Sequence, residues 1–232
     1  MTVTRGHVVD LDVHLECDDV LRMMGCRKDA QIDPPEQALL DRLILEAGPL
    51  LKPRGIYAIH SVDRMTDSEL ILENCPLIRG PIASFLRPAQ RVAAFVVTVG
   101  EGVEELALER DFENAPHESA ILNAIGSAAV EAAVDTLADI IYFGDALPNE
   151  ALTPPFCPGH CGLPIDEQIS LFAIINPKEI GVRLLSTMAT QPIKSVSGLI
   201  GIGPSDQVEA HGVPCQWCDV MTCHMQKNHD QA

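Results

Sequence analysis

Five of the eight cysteines lie in two short groups whose spacing could hold a metal ion or a redox centre. Near the carboxy terminus, Cys215, Cys218 and Cys223 form a C-x2-C-x4-C pattern. Thiolates two residues apart on a turn reach one metal ion or cluster from the same side, and a third can close one face of it. This trio therefore predicts an iron–sulfur cluster or a zinc ion. Cys157 and Cys161, which flank a Pro-Gly-His sequence, are candidates to complete the ligand set.

Several alternatives stay open for these side chains. The number of thiolates does not separate an iron–sulfur cluster from zinc, although Trp217 within the trio could shield a cluster from water. Cys157 and Cys161 could instead form a redox pair or be unrelated buried thiols. His160 between them could ligate a metal or be a solvated loop histidine. The other three cysteines are isolated and predict small buried side chains: Cys17, Cys26 and Cys75.

The composition excludes two classes of partner. The 232 residues include 33 acidic and 16 basic side chains, which give a net charge of −17, and the aromatic residues are six Phe, two Tyr and one Trp. Such a chain lacks the positive surface that binds phosphate backbones or anionic headgroups, and it has few platforms for base stacking. We therefore expect no nucleic-acid or membrane partner. The same charge would repel an acidic, flavodoxin-like electron donor, which favours a built-in redox centre.

The two stretches that could direct the chain to a membrane do not have the required pattern. The first eleven residues contain ionisable side chains and no continuous apolar run, so we expect no signal peptide and a cytoplasmic location, where thiols stay reduced. The long apolar stretch 119–143 is interrupted by Glu131, Asp135 and Asp139 at four-residue spacing. These carboxylates share one helical face, which predicts a surface or groove helix with a solvated acidic face.

The periodicity of the chain predicts an α+β fold in which these groups are positioned. The continuous aliphatic run Val92 to Val99 is typical of a central buried strand, and Asp33 before Pro34 is typical of a helix cap. From Ser205 the chain turns polar, so we predict an α+β domain over residues 1–204 and a cysteine-rich tail over 205–232 packed on it. The other predicted strands cover 8–16, 56–62, 69–72, 182–185 and 195–202, and the helices cover 20–24, 34–48, 103–112, 119–143 and 166–173.

Several short motifs in this order resemble the reactivation domain of cobalamin-dependent methionine synthase. The chain has C-P-G-H at 157–160, I-G-V-R-L at 180–184 and P-I-K-S-V-S-G at 192–198. The corresponding family patterns are approximately R-x-x-P-G-Y, I-G-x-x-L-T-E-S and P-x-x-S-V-S-G. The resemblance, which extends over most of the chain, includes segments similar to stand-alone members: D-V-L-R-M-M-G at 19–25, V-T-V-G at 97–100 and A-I-G-S-A-A at 124–129.

The resemblance implies a helmet-like fold around a long bent antiparallel sheet with flanking helices. Family members present a groove to a corrinoid-binding partner and bind S-adenosylmethionine, so that inactive cob(II)alamin is reduced and remethylated. By this resemblance His160 would face the corrinoid edge. The corrinoid-facing residues that it implies here are Pro158, Gly159, His160, Ser195, Val196, Ser197 and Gly198.

The chain departs from the family pattern where the resemblance places S-adenosylmethionine. Pro155 stands at the position of the arginine, which is the expected partner of the methionine carboxylate, and proline cannot replace a charged planar group. His160 stands at the position of the tyrosine, and 185–187 reads L-S-T in place of T-E-S. We therefore expect the corrinoid groove to be kept and the S-adenosylmethionine site to be altered, with binding through other residues as an alternative.

Together these features predict an accessory protein of corrinoid metabolism. It would dock on a cobalamin-binding methyltransferase or corrinoid protein that carries the cofactor, and assist reductive reactivation or remethylation of the cobalt with a cysteine-bound redox centre. It would be at most one part of a cobalamin-dependent methyltransferase system. The alternatives are a non-catalytic corrinoid- or metal-binding module with structural zinc and an S-adenosylmethionine-binding methionine synthase component. No phosphate loop or H-E-x-x-H sequence supports a nucleotide enzyme or metallohydrolase.

Overall fold

The computed structural model describes residues 6–27, 32–81 and 85–211, which form nine strands and six α-helices. The strands are β1 (His7–Asp10), β2 (Arg54–Met65), β3 (Glu69–Leu72), β4 (Ile78–Arg79), β5 (Arg91–Thr98), β6 (Glu150–Leu152), β7 (Arg183–Leu184), β8 (Thr190–Gln191) and β9 (Ser195–Pro204). The helices are α1 (Cys17–Met23), α2 (Pro34–Ala47), α3 (Gly102–Phe112), α4 (Pro116–Asp145), α5 (Gln168–Ile174) and α6 (Ser205–His211).

Seven of these strands form one antiparallel sheet. Its order is β4-β3-β2-β5-β9-β6, and β1 pairs with the first half of β2. Strand β5 lies at the centre, where Phe95 pairs with Tyr57 of β2 and Gly198 of β9. Every residue of β5 after Arg91 is buried, because both faces of the sheet are covered. The structure therefore confirms the predicted central strand and the α+β class with a long antiparallel sheet.

The 30-residue helix α4 covers one face of the sheet. Its Ala129, Ala133 and Leu137 are fully buried in one cluster with Phe95 and Ile200 of the sheet. Alanine at these positions lets the helix approach the strands closely, since its methyl group fills little of the space between them. The helix begins at Pro116, three residues before the predicted start, because proline suits the first turn of a helix.

Other elements cover the opposite face and the end of α4. On the opposite face, Leu171 and Ile174 of α5 are buried with Val96 and Leu199. The first half of α4 packs against α1, α2 and α3 in a third cluster. Asp33 caps helix α2 as predicted, and its carboxylate accepts a hydrogen bond from the Glu36 backbone N–H at 2.9 Å. This helical layer holds the first half of α4, whose Gly126 lies against Lys194, the residue before β9.

Two local expectations were wrong, each for a tertiary reason. The predicted strand 8–16 ends at Asp10, because its partner Arg54 is the first residue of β2 and no further strand backbone is there to pair. The predicted acidic face of α4 is solvated at Asp135 and Asp139, but the Glu131 side chain is 14% exposed and pairs with Arg22 of α1 at 2.9 Å. Among the described residues, no helix is long and apolar enough to cross a membrane.

Candidate functional site

A cleft of about 270 Å³ lies where the loop after β6 passes the first residues of β9. These two segments are the ones that carry the C-P-G-H and S-V-S-G motifs. The structure therefore brings together residues that lie almost 40 positions apart in the chain. The predicted site residues that line the cleft are Cys157, Pro158, His160, Ser195, Val196 and Ser197.

The loop side of the cleft is a tight turn. The backbone N–H of His160 donates to the carbonyl of Cys157 at 3.0 Å, and the N–H of Gly159 donates to the carbonyl of Leu163 at 2.8 Å. Gly159 has a φ of +89°, which a residue with a side chain adopts only with strain. The glycine therefore permits the turn. Gly159 itself does not line the cleft, and a β-carbon there would lie 3.3 Å from Cδ1 of Ile165.

The strand side of the cleft offers backbone as well as side-chain groups. Leu199 and Phe156 exchange two backbone hydrogen bonds of 2.9 Å on the edge of β9 that faces away from β5. Alternate residues of an antiparallel strand direct their polar groups to the same edge. Ser197, two residues before Leu199, therefore directs its N–H and C=O toward the cleft. Ser195 is held by two hydrogen bonds of 2.8 Å: its hydroxyl donates to the Pro192 carbonyl, and its oxygen accepts from the Thr98 hydroxyl.

Gln168 at the start of α5 connects three walls of the cleft. Its side chain is buried, with 6% exposure for the residue, and its Nε2 donates to the carbonyl of Met188 at 2.8 Å. Its Oε1 accepts a hydrogen bond from the Ser197 hydroxyl at 3.3 Å. The amide thus joins α5, the 185–189 segment and β9. A buried polar group with both ends satisfied fixes the relative position of the elements that it joins.

Gly198 does not line the cleft, although the resemblance places it among the corrinoid-facing residues. A β-carbon at this position would lie 2.7 Å from the Phe95 ring and 2.7 Å from the carbonyl oxygen of Phe156. The glycine is therefore needed where the sheet core and the Phe156 bridge approach the strand. Gly198 therefore contributes to the packing beneath the cleft and not to its lining.

The lining of the cleft has no side chain that carries a fixed charge. Within the part of the chain that the structure describes, it contains no Asp, Glu, Lys or Arg. Burial, with smaller contributions from the nearby Cys161 and Glu131, raises the pKa of the Cys157 thiol to about 12, so this group stays protonated. His160 is the remaining ionisable side chain of the lining. The cleft therefore offers hydroxyl, amide and backbone groups to a ligand and no counter-charge of fixed sign.

Exposed aliphatic side chains surround the mouth of the cleft. Ile165 and Ile193 line it and are 48% and 62% exposed. Exposed apolar side chains that lie together at one place are a feature of binding surfaces. We refer to Ile165 and Ile193 as the aliphatic rim.

One of three comparisons with known proteins found a match, and it agrees with this architecture. No family model matches the sequence, and no curated protein does. Among solved structures, the chain is similar to one titled "Crystal Structure of the MetH Reactivation Domain bound to AdoHcy", with a TM-score of 0.63 over 87% of this chain and 80% of that chain. The chain has the fold of the MetH reactivation domain. Because the sequence identity is 16%, this similarity establishes the fold alone.

Within this reactivation-domain fold, the predicted metal ligands are divided between described and undescribed residues. Cys157 and Cys161 lie in the cleft loop, and the described residues contain no group of three side chains that could hold a metal. Cys215, Cys218 and Cys223 lie outside the described residues, so the metal site stays a prediction from the sequence. The three isolated cysteines are half-buried rather than buried: Cys17, Cys26 and Cys75.

The reactivation-domain fold also brings residues to the cleft that sequence reasoning missed. Gln168, Met188 and Ile193 were not among the predicted site residues, although all three line the cleft. A sequence signal existed for Gln168, which lies three residues before Leu171 on the apolar side of a short helix. A polar side chain on such a face needs a buried partner. Met188 and Ile193 had no comparable signal, since both lie in irregular segments.

Proposed function

We propose that this chain is a cytoplasmic accessory protein of corrinoid metabolism. It docks on a cobalamin-binding methyltransferase or corrinoid protein and assists the reductive reactivation or remethylation of its cobalt. The observation that carries the proposal is the uncharged cleft between the Pro158-Gly159 turn and the start of β9, in a chain with the reactivation-domain fold.

The size of the cleft supports a cofactor carried by the partner. Pockets that enclose a drug-sized ligand usually have volumes of roughly 300–1,000 Å³. The cleft, at about 270 Å³, is smaller than this range and is open to solvent, so it fits one edge of a corrinoid rather than the whole cofactor. The neutral methyl and amide groups of a corrinoid edge match an uncharged lining with an aliphatic rim.

Each part of the cleft has a role in this proposal. Gly159 permits the turn that places Pro158 and His160 in the cleft wall, and Ile165 and Ile193 exclude water from the contact. The hydroxyl oxygens of Ser195 and Ser197 accept hydrogen bonds from amide N–H groups at the corrinoid edge, and the Ser197 backbone pairs with amide groups there. His160 contacts the same edge from the loop. When the corrinoid is bound, its cobalt supplies the chemistry by accepting and passing on a methyl group.

The electron source in this proposal is a redox centre held by Cys215, Cys218 and Cys223. The net charge of −17 supports it, because acidic flavodoxin-like donors would be repelled. Structural zinc at the same cysteines is the alternative, and the chain would then be a non-catalytic corrinoid-binding module. The measured metal content separates the two.

A second candidate is a protein that binds an S-adenosylmethionine-type ligand. The solved structure with the same fold is bound to AdoHcy, which supports this alternative. The uncharged lining could take the adenosyl part of such a ligand. The ammonium and carboxylate of its methionine part would find no charged partner there, because Pro155 replaces the family's arginine and the lining contains no Arg or Lys.

Anaerobic titration of the full-length protein separates the two candidates. We expect saturable changes in the absorbance of cob(II)alamin on addition of protein, and no heat of binding with S-adenosylmethionine in calorimetry. Tight binding of S-adenosylmethionine without a spectral change of cobalamin would establish the second candidate instead. A failure of both titrations would contradict the assignment of the cleft to either ligand.

A further inference from the structure

Cys157 and Cys161 lie on either side of the turn that forms the loop wall of the cleft. Cys157 is in the wall and packs against the apolar cluster below α4, whereas Cys161 is exposed. His160, a lining residue, stands between them. Any covalent link between the two thiols would therefore change the wall of the cleft itself.

The backbone of this loop bends back on itself between the two cysteines. The hydrogen bond from the His160 N–H to the Cys157 carbonyl closes a turn, and turns of this kind bring the first and fourth α-carbons within about 7 Å. Cys161 follows immediately and has a φ of +49°, which continues the bend. A disulfide requires α-carbons about 4.4–6.8 Å apart. The turn brings Cys157 within about that separation of His160, the residue directly before Cys161.

The surroundings of the two thiols give them different roles in an exchange reaction. Cys161 is accessible to a disulfide reagent, whereas the Cys157 thiol is shielded by the apolar cluster. An oxidant would therefore meet Cys161 first, and Cys157 would react from within the loop.

We propose that Cys157 and Cys161 form a reversible disulfide that regulates the cleft. The thiolate of Cys161 attacks glutathione disulfide and releases one glutathione thiolate. The Cys157 sulfur then attacks the mixed disulfide, passes its proton to the departing glutathione thiolate and displaces it. Two protein thiols are oxidised, two glutathione thiols are formed, and the two protons pass to them or to water. Oxidation withdraws the Cys157 sulfur from the apolar cluster and displaces His160. Only the effect on corrinoid binding rests on the proposed function.

The sequence allows a direct measurement of this disulfide. No Lys or Arg lies between Arg110 and Lys178, so trypsin releases both cysteines in one peptide that contains no other cysteine. The full-length protein is equilibrated in glutathione buffers of graded ratio, alkylated, digested and analysed by mass spectrometry. We expect the two alkylation sites of this peptide to disappear together as the buffer becomes oxidising, and to return with dithiothreitol.

Two variants control the experiment. Cys161→Ser changes an exposed side chain, and in this variant Cys157 should stay open to alkylation at every glutathione ratio. Cys26→Ser, at a half-buried cysteine elsewhere, should leave the transition unchanged. Independent alkylation of Cys157 and Cys161, or a cross-link from either to Cys215, Cys218 or Cys223, would overturn the proposal.

A second readout tests regulation separately from disulfide formation. Oxidised wild-type protein should bind cob(II)alamin about tenfold more weakly than reduced protein, which is the effect expected when one good contact is lost. Cys161→Ser should bind equally in both buffers. Equal affinity of the two wild-type forms would overturn the regulatory role. If cobalamin does not bind to reduced protein, the proposed function fails, and the mass measurement still decides whether the disulfide exists.

Discussion

The side chain of Lys194 crosses helix α4 directly over Gly126. A β-carbon at Gly126 would lie 3.1 Å from both Cγ and Cε of the lysine, and the ammonium group donates a hydrogen bond to the Ser127 hydroxyl at 3.0 Å. Lys194 immediately precedes the cleft residue Ser195, and its carbonyl accepts the backbone N–H of Val99 at 3.1 Å. This contact therefore joins the start of β9 to α4.

We predict that the effect of Gly126→Ala depends on Lys194. Alanine in a helix interior is more favourable than glycine by about 1 kcal/mol, but here the added methyl group must displace the lysine methylenes. The substitution should change the unfolding free energy little in the wild-type background and raise it by about 1 kcal/mol in a Lys194→Ala background. Urea unfolding of the four proteins in this cycle measures the difference. Equal effects in both backgrounds would show that the contact does not constrain position 126.

Gln168→Leu should destabilise the protein and loosen the cleft. The substitution leaves the Met188 carbonyl and the Ser197 hydroxyl without their present partner, which costs about 1–3 kcal/mol in unfolding free energy. Cobalamin binding should weaken as well, because the strand and the 185–189 segment are no longer joined. Gln90→Leu, at an exposed position, is the control and should stay within about 0.5 kcal/mol of wild type. Similar stabilities of the two variants would show that the hydrogen bonds of the Gln168 amide do not stabilise the fold.

Ile193→Asp should weaken binding of cobalamin without affecting the fold. The side chain is 62% exposed on the aliphatic rim, so a carboxylate there is tolerated in the free protein but must be desolvated in the contact. We expect a dissociation constant at least about tenfold higher, with an unchanged melting temperature. Leu45→Asp is the matched control, since Leu45 is 79% exposed on α2 and does not line the cleft. Equal affinities of the two variants would show that the aliphatic rim does not contact cobalamin.

His60 should make the protein less stable in mild acid. Burial lowers the pKa of this histidine below its ordinary value of 6.5, and its Nδ1 atom lies 3.2 Å from the Cys75 sulfur. As the pH falls below about 6.5, the unfolded chain binds a proton at this position that the folded chain resists, so the unfolding free energy decreases. His60→Gln should give a shallower decrease between about pH 7 and pH 5, measured by urea unfolding. Parallel curves for the two proteins would assign the acid sensitivity to other groups.

The carboxy-terminal cysteines should hold an iron–sulfur cluster. Protein purified without oxygen should be brown and contain iron and sulfide, because three closely spaced thiolates supply most of a cluster's ligands. Cys218→Ser should lose the colour, whereas Cys17→Ser, at an isolated cysteine, should keep it. Metal analysis and absorbance spectra provide the measurement. Colourless wild-type protein with stoichiometric zinc would establish the structural alternative.

Much of the secondary structure could be predicted from the sequence, because it depends on patterns within single segments. The continuous apolar run at β5 indicated burial on both faces, and Asp33 before Pro34 indicated the start of α2. The same local patterns placed α3 and most of α4. The order of the short motifs also indicated the fold, which the solved structure of the MetH reactivation domain confirms.

The cleft itself was decided by the tertiary structure. A periodic pattern tells which face of its own element a residue occupies, but it does not tell which distant segment covers that face. For this reason the sequence did not predict that Gln168 and Ile193 line the cleft, or that Gly198 does not. It also did not predict that Glu131 of α4 pairs with Arg22. The sequence determined which residue types are available for chemistry, and the crossing of the cleft loop over β9 determined which of them meet.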